Sequence, residues 1–543
     1  MHDVLGFALI CLILGVLGRI FVRVFVKSPL DNVPGPPALS FAKGSNIPQL
    51  YNRNGWGFIK DLSEKYGGVV KIHGTYGSKQ LFVFDPVALS SVVIKDQYIY
   101  ERSDETVSFK SFGSHPCSLS FQGERHRKQR KLMNPVFSIN HMREMMPIFY
   151  RISRNLRDAI ASRVDNGAQD IDILDWMSRT ALELVGQAGL GYSFDPLIRD
   201  KADSYAEALK ALIPTAFTLR TYLPFLPYVM KIGTPAMRRR ILELIPSTRL
   251  QRVKEISDAV DAHSKRIFKQ KKQAMTQGDE AVLKQVGEGR DILSRLMQAN
   301  MTASEEDRLS ENELLGQMST FIFAAMDTTS GALAHTLQLL AECPDVQNKL
   351  RAEILEAQGG EQEIPYDTLV DLPYLDAVCR ETLRLHAPVT IVNRKTREDV
   401  VMPLSQPIRG TDGTYMSEIP VPKGTEVVVG ILASNRNPAL WGPDAGVWKP
   451  ERWLAPLPET VNAARVPGVY SHLMTFLGGG RACIGFKFSQ TEMKVVLAVL
   501  LSSFKFSLSN KDVVWNSAEV QYPTVGTSNQ PAMPMKIDRI KSI

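Results

Sequence analysis

Between Ser310 and Pro344 the chain reads "SENELLGQMSTFIFAAMDTTSGALAHTLQLLAEC", with no proline to interrupt it. Ser310 and Glu313 stand in capping-box spacing, where each side chain satisfies the other's backbone N–H. Pro344 and Asp345 close the far end. The expectation is one helix of about 33 residues, which at 1.5 Å per residue spans roughly 50 Å. It is apolar on most sides and so should thread the core. A membrane span is the rival reading, and Gln317, Ser319, Asp327, Thr328 and Thr329 within the run argue against it. A chain that buries such a helix is expected to be mainly α, with small β-sheets beside it.

The flanking sequence agrees with that class. "VVKIHG" (69–74) and "LFVF" (81–84), parted by a glycine turn, predict a hairpin. Amphipathic helices are expected over 139–300, and further helices near 345–358, 373–385 and 485–504. Strands are expected around the Pro422-Lys423-Gly424 turn. The charged stretch 263–291 reads as an exposed helix or loop. No composition break after about Asn32 calls for a second domain. The N-terminal "VLGFALICLILGVLGRIFVRVFV", from Val4, holds about twenty mostly apolar residues, enough for one bilayer-spanning helix. Arg19, Arg23 and Lys27 at its far end place the remainder in the cytosol by the positive-inside rule. The expected organisation is a transmembrane anchor over 1–26, a proline-rich hinge over 27–40 and one domain over 41–543.

A net charge of +7 on 543 residues is too diffuse to indicate nucleic acid, and suits a membrane surface or an acidic protein partner. The five cysteines, at 11, 117, 343, 379 and 483, form neither a disulfide framework nor a zinc spacing. Cys483 differs from the others in its setting, "FLGGGRACIG" (476–485). Three glycines allow close backbone approach, Arg481 can pair with an anion, and a helix is expected from Gly485, whose N-terminus favours a thiolate. A sulfur ligand, a glycine-lined approach and a cation for a carboxylate suggest an iron porphyrin with propionates.

The string matches Phe-x-x-Gly-x-Arg-x-Cys-x-Gly at Phe476, Gly479, Arg481, Cys483 and Gly485, and here the chain resembles the cytochrome P450 family of haem-thiolate monooxygenases. Gly480 is a departure, because many members carry proline there. "RETLRLHAP" resembles the family's Glu-x-x-Arg clamp, with Glu381 and Arg384, and "KPERWL" supplies Arg452 as its third partner. "AAMDTT" resembles the oxygen-binding groove, with Asp327 and Thr328 as an acid–alcohol pair for proton delivery. "GERHRKQRK" resembles the helix that carries Trp-x-x-x-Arg, with His126 in place of Trp and Arg130 kept. Arg394 stands where the family places another propionate arginine.

The resemblance runs from the anchor to the C-terminus and implies a cytochrome P450 fold with a single haem-thiolate catalytic domain. It implies haem b ligated by Cys483, with Phe476, Gly479, Gly485, His126, Arg130, Arg394 and Arg481 around the cofactor. It further implies an NADPH-dependent flavoprotein reductase, since the chain has no flavin or nicotinamide fingerprint. Arg125, Arg127, Lys128 and Lys131 are candidates for docking it, against an ordinary solvated face. The implied reaction inserts one atom of O2 into a lipophilic small molecule, a hydroxylation in fungal secondary metabolism on a terpenoid- or polyketide-like substrate. Xenobiotic or fatty-acid hydroxylation, peroxide isomerisation and a non-catalytic haem sensor are the alternatives. Substrate contacts are expected from Phe109, Phe112 and Phe121, from 213–230, and from 387–392. The implied location is the endoplasmic reticulum membrane, single-pass, with the catalytic domain cytosolic.

Overall fold

Val69–His73 (β1) and Lys79–Val83 (β2) pair antiparallel, Val69 opposite Val83 and His73 opposite Lys79, as the glycine turn between two β-rich runs predicts. This computed structural model describes residues 26–39, 46–53, 55–105, 121–195, 226–278 and 286–540, with isolated positions 18, 107, 197, 215, 219, 222 and 280–281. The two-residue strand Tyr100–Glu101 (β3) follows. Then come Gly123–Met133 (α1), Ile139–Asp165 (α2), Ile171–Asp172 (β4), Ile173–Leu184 (α3), Thr248–Gln277 (α4), Ile292–Thr302 (α5), Glu311–Glu342 (α6), Pro344–Gln358 (α7) and Pro373–Leu385 (α8). The chain returns through Ile391–Thr396 (β5), the hairpin Val400–Arg409 (β6) and Tyr415–Val421 (β7), and Glu426–Gly430 (β8). It ends in Phe486–Ser503 (α9), Phe504–Leu508 (β9), Val513–Asn516 (β10), Tyr522–Val525 (β11) and Pro534–Arg539 (β12). One sheet has the order β1-β2-β8-β5-β3; the others are β4-β12-β9, β6-β7 and β10-β11.

The capping box forms as its spacing predicts: the Glu313 N–H donates to Ser310 Oγ, and the Ser310 N–H to Glu313 Oε2 at 3.0 Å. From Thr329 to Leu337 every residue of α6 is buried. The helix packs chiefly on α3, with α4, α8 and α9 also against it. Each fully buried leucine or isoleucine there contributes ~1.5–3 kcal/mol relative to exposure, which is why so long a helix can run inside rather than over the fold.

Two expectations are corrected. The stretch over 263–291 is not simply an exposed surface. Within α4, Ser264, Ile267, Phe268, Lys271 and Ala274 are buried, an i, i+3, i+4 stripe hidden among the charges. Lys271 even pairs inside with Asp291 at 2.8 Å, both side chains almost fully buried.

The transmembrane anchor is the second. Among the described residues no helix is long and apolar enough to cross a membrane. The segment to which the anchor was assigned, 1–26, lies almost wholly outside the described residues. The family resemblance is therefore carried without the anchor, and the fold class without the transmembrane helix. The single-pass endoplasmic reticulum location and the membrane as a partner rested on that helix and fall with it. Phe109, Phe112 and most of 213–230 also lie outside the described residues.

Candidate functional site

The loop before α9 folds back on itself to present Cys483. The Cys483 N–H donates to the Phe476 carbonyl at 2.8 Å. Two of its glycines are required by protein packing. A Cβ on Gly478 would stand 1.6 Å from the Pro467 carbonyl oxygen, and one on Gly479, at φ +65°, 1.8 Å from that of Val93. Gly480 donates its N–H to Gln97 Oε1 at 2.8 Å, a bond that the more usual proline could not make. Gly485 sits at the start of α9 and is uncrowded.

Cys483 is accessible, yet surrounded closely enough that burial pushes its thiol above its ordinary value. The Gly485 N–H and the Arg130 charge oppose the burial and favour the thiolate. Cys379, by contrast, is buried in the core, and its thiol is pushed up to about 12.

Three elements bring basic side chains to the cysteine's surroundings: α1 supplies His126 and Arg130, β5 supplies Arg394, and the loop supplies Arg481. Arg130 Nη1 donates to the Ala482 carbonyl at 2.8 Å. Arg481 Nη2 reaches Glu101 Oε2 at 2.6 Å, and its Nη1 donates to the Phe121 carbonyl at 2.9 Å. Burial, with the charges of Arg481, Arg102, Arg130 and Arg394, holds His126 down at about 3, so its imidazole is neutral. Burial with Arg102 and Arg481 likewise lowers Arg394, to about 9, against the opposing pull of Glu101. Four arginines thus converge around one neutral histidine. Arg102 and Glu101 escape sequence reasoning, because "YERSD" offers no spacing that marks them.

On α6, Phe323, Ala325, Asp327 and Thr328 are half-buried and Ala324 is exposed, while Phe321, Ile322, Met326 and Thr329 are buried. The spacing puts 324, 327 and 328 on one face, so this is the open groove of a core helix. Thr328 Oγ1 donates to the Ala324 carbonyl at 2.7 Å, the back-bonding alternative for a helical threonine. Phe137 packs against the groove helix. Its ring meets Phe321 edge-on at 5.7 Å and lies 4.0 Å from a Cβ placed on Gly485.

Glu381 and Arg384 form a bidentate pair at 2.8 Å, both fully buried. Arg452 approaches Glu381 at 3.4 Å, and the Lys449 N–H and Trp453 Nε1 complete its shell at 3.1 and 3.0 Å. Arg384 also donates to the carbonyls of Asn435, Ala445 and Val447. The clamp so fastens α8 to the segment leading into the cysteine loop. Trp453 directly follows Arg452 in "KPERWL", and that adjacency was the signal available for it.

The cytochrome P450 model matches residues 34–533. The chain belongs to the cytochrome P450 family. It is 78% identical over 542 residues to cytochrome P450 monooxygenase 91 of Postia placenta, covering all of both chains. It is 50% identical to cytochrome P450 monooxygenase 219 of the same fungus, over 94% of each chain. To ganoderic acid synthetase CYP5150L8 of Ganoderma lucidum it is 46% identical, over 95% of each. As a cytochrome P450 it is a haem-thiolate monooxygenase, with haem b as cofactor through a cysteine thiolate. The residues present fit that group: an accessible cysteine has neighbours that favour its thiolate, and four converging arginines outnumber the carboxylate beside them. Two propionates would supply the missing negative charge.

Proposed function

We propose that this cytochrome P450 inserts one oxygen atom from O2 into a lipophilic small molecule, as a hydroxylation in fungal secondary metabolism. The observation that carries this reading is the accessible Cys483, whose thiolate the Gly485 N–H and Arg130 favour, beside a cluster of four arginines. Cys483 would hold the iron, and His126, Arg130, Arg394 and Arg481 would hold the propionates. Haem so bound supplies O2 binding and O–O cleavage, aided by the electron-rich thiolate.

The chain's own part is to position and to move protons. At rest the Thr328 hydroxyl proton is committed to the Ala324 carbonyl, which leaves the oxygen's lone pairs toward the groove. Rotation about χ1 would release that proton, and Asp327, half-buried on the same face, would exchange protons with water. His126, held neutral, would donate one hydrogen bond without adding to the arginines' charge. Glu381, Arg384 and Arg452 keep the cysteine loop's approach rigid. An NADPH-dependent flavoprotein reductase would supply the electrons. Arg127, exposed beside the loop, offers it charge without a fixed tertiary partner: its ion pair is to Glu124, three residues away on α1.

The name of the Ganoderma lucidum relative makes a ganoderic acid precursor the first substrate class to try. The test supplies a partner reductase, NADPH, labelled O2 and a lipophilic metabolite extract, with Cys483→Ala as control. A product one labelled oxygen heavier, absent with the variant, is expected. Products without label, or label unaffected by the variant, would overturn the reading.

A further inference from the structure

Glu101 touches every element that supplies the cation cluster. Its strand, β3, pairs with β5, Glu101 opposite Lys395, next to Arg394. Its Oε2 takes the Arg481 guanidinium of the cysteine loop at 2.6 Å. Its Oε1 accepts the Gly123 N–H at 2.9 Å, at the first turn of α1, the helix of His126 and Arg130. The residue preceding α1, Gln122, makes no side-chain cap, so a carboxylate from a distant strand does that work and complements the helix dipole. The Arg481 and Glu101 side chains are 8% and 6% exposed, so water screens their pairing little.

The charges make the position consequential. Arg102, Arg130, Arg394 and Arg481 contribute four positive charges and Glu101 one negative, a local sum of +3 among these described residues. Two propionates and a thiolate together carry −3. We propose that Glu101 is a positioning residue for the haem site: it holds the cysteine loop, β5 and the start of α1 in one register, and its charge sets the reduction potential of the bound iron. This rests on the reading that Cys483 ligates the haem and the arginines face its propionates.

The experiment is a spectroelectrochemical titration of the holoenzyme and three variants. Glu101→Gln keeps an acceptor oxygen but raises the sum to +4, so its midpoint shifts upward, because greater positive charge favours the reduced iron. Arg481→Gln lowers the sum to +2 and shifts it downward. The double variant returns to +3 and to near the wild-type midpoint. A wild-type midpoint in Glu101→Gln, or a double variant that stays displaced as far as either single one, overturns the proposal. Should Glu101→Gln not retain haem, retention regained on adding Arg481→Gln supports the coupling, and no recovery overturns it. A wild-type protein whose reduced carbon monoxide complex lacks the thiolate signature would instead count against Cys483 as ligand, and would remove the basis of this proposal as well.

Discussion

Arg130 donates through Nη1 to the backbone carbonyl of Ala482, 2.8 Å away, so a side chain of α1 braces the loop one residue before Cys483. The bond spans 352 residues of sequence. It places a positive charge where it favours the cysteine thiolate, against the burial that disfavours it.

Replacing Arg130 removes a charged hydrogen bond and, on the proposed reading, a propionate partner. A hydrogen bond to a charged group is worth about 1.5–3 kcal/mol, so Arg130→Gln should weaken haem retention by about ten- to a hundredfold. Haem transfer to an excess of apomyoglobin measures it. A transfer rate equal to wild type would show that the brace is dispensable.

The clamp is the most exposed to failure by a single change. Glu381→Ala strands Arg384, Arg452, the Lys449 N–H and Trp453 Nε1 around an empty position. Breaking a buried pair on one side costs about 3–5 kcal/mol. The variant should lose most of its yield as haem protein, and what remains should unfold at a markedly lower denaturant concentration.

Thr328→Ala removes the groove hydroxyl but no backbone bond of α6, since the hydroxyl only adds to a carbonyl already within the helix. Product formation should fall by about a hundredfold or more if the hydroxyl delivers a proton, with helix content unchanged. Thr328→Ser should retain most of the activity. Equal product yields from the alanine variant and the wild type would remove Thr328 from the mechanism.

His335 stacks between His386 (3.7 Å between ring centroids) and Trp515 (4.0 Å), and burial holds both imidazoles well below the ordinary histidine value. Below about pH 6.5 the unfolded chain takes up protons that the folded one refuses. The stability that depends on these groups is therefore complete above that pH and is lost as pH falls. His335→Phe keeps the stack and removes one such site. Between pH 6 and pH 5 its stability should fall less steeply than that of wild type, by about 1.4 kcal/mol per pH unit. Denaturant unfolding at the two pH values reads the slope, and parallel slopes would contradict it.

Local chemistry was legible without any structure. The capping box at Ser310 and Glu313, the proline that starts α8, and the glycine turn between β1 and β2 all act within a few residues, and all stand where the sequence places them. Glu381 and Arg384 share one helix face as their spacing of three predicts, but their burial was implied only by the family resemblance. Side-chain pairs between distant segments were not legible. Lys271 and Asp291 sit in a stretch whose charges suggested exposure, and only the packing of α4 against its neighbours turns that stripe inward.

The cysteine loop divides in the same way. The order of glycines, arginine and cysteine in one short run was enough to bring Cys483 forward and to indicate the cytochrome P450 family. How each of those residues is held there was decided by tertiary contact. Gly478 and Gly479 are required by carbonyls of Pro467 and Val93, the Gly480 N–H is taken by Gln97, and Arg481 is held by Glu101 from the far end of the chain. Sequence spacing governs neighbours along a helix or strand, because backbone geometry repeats every few residues. The charge and space around Cys483 depend on segments up to 380 residues apart, and only folding brings those to within 3 Å.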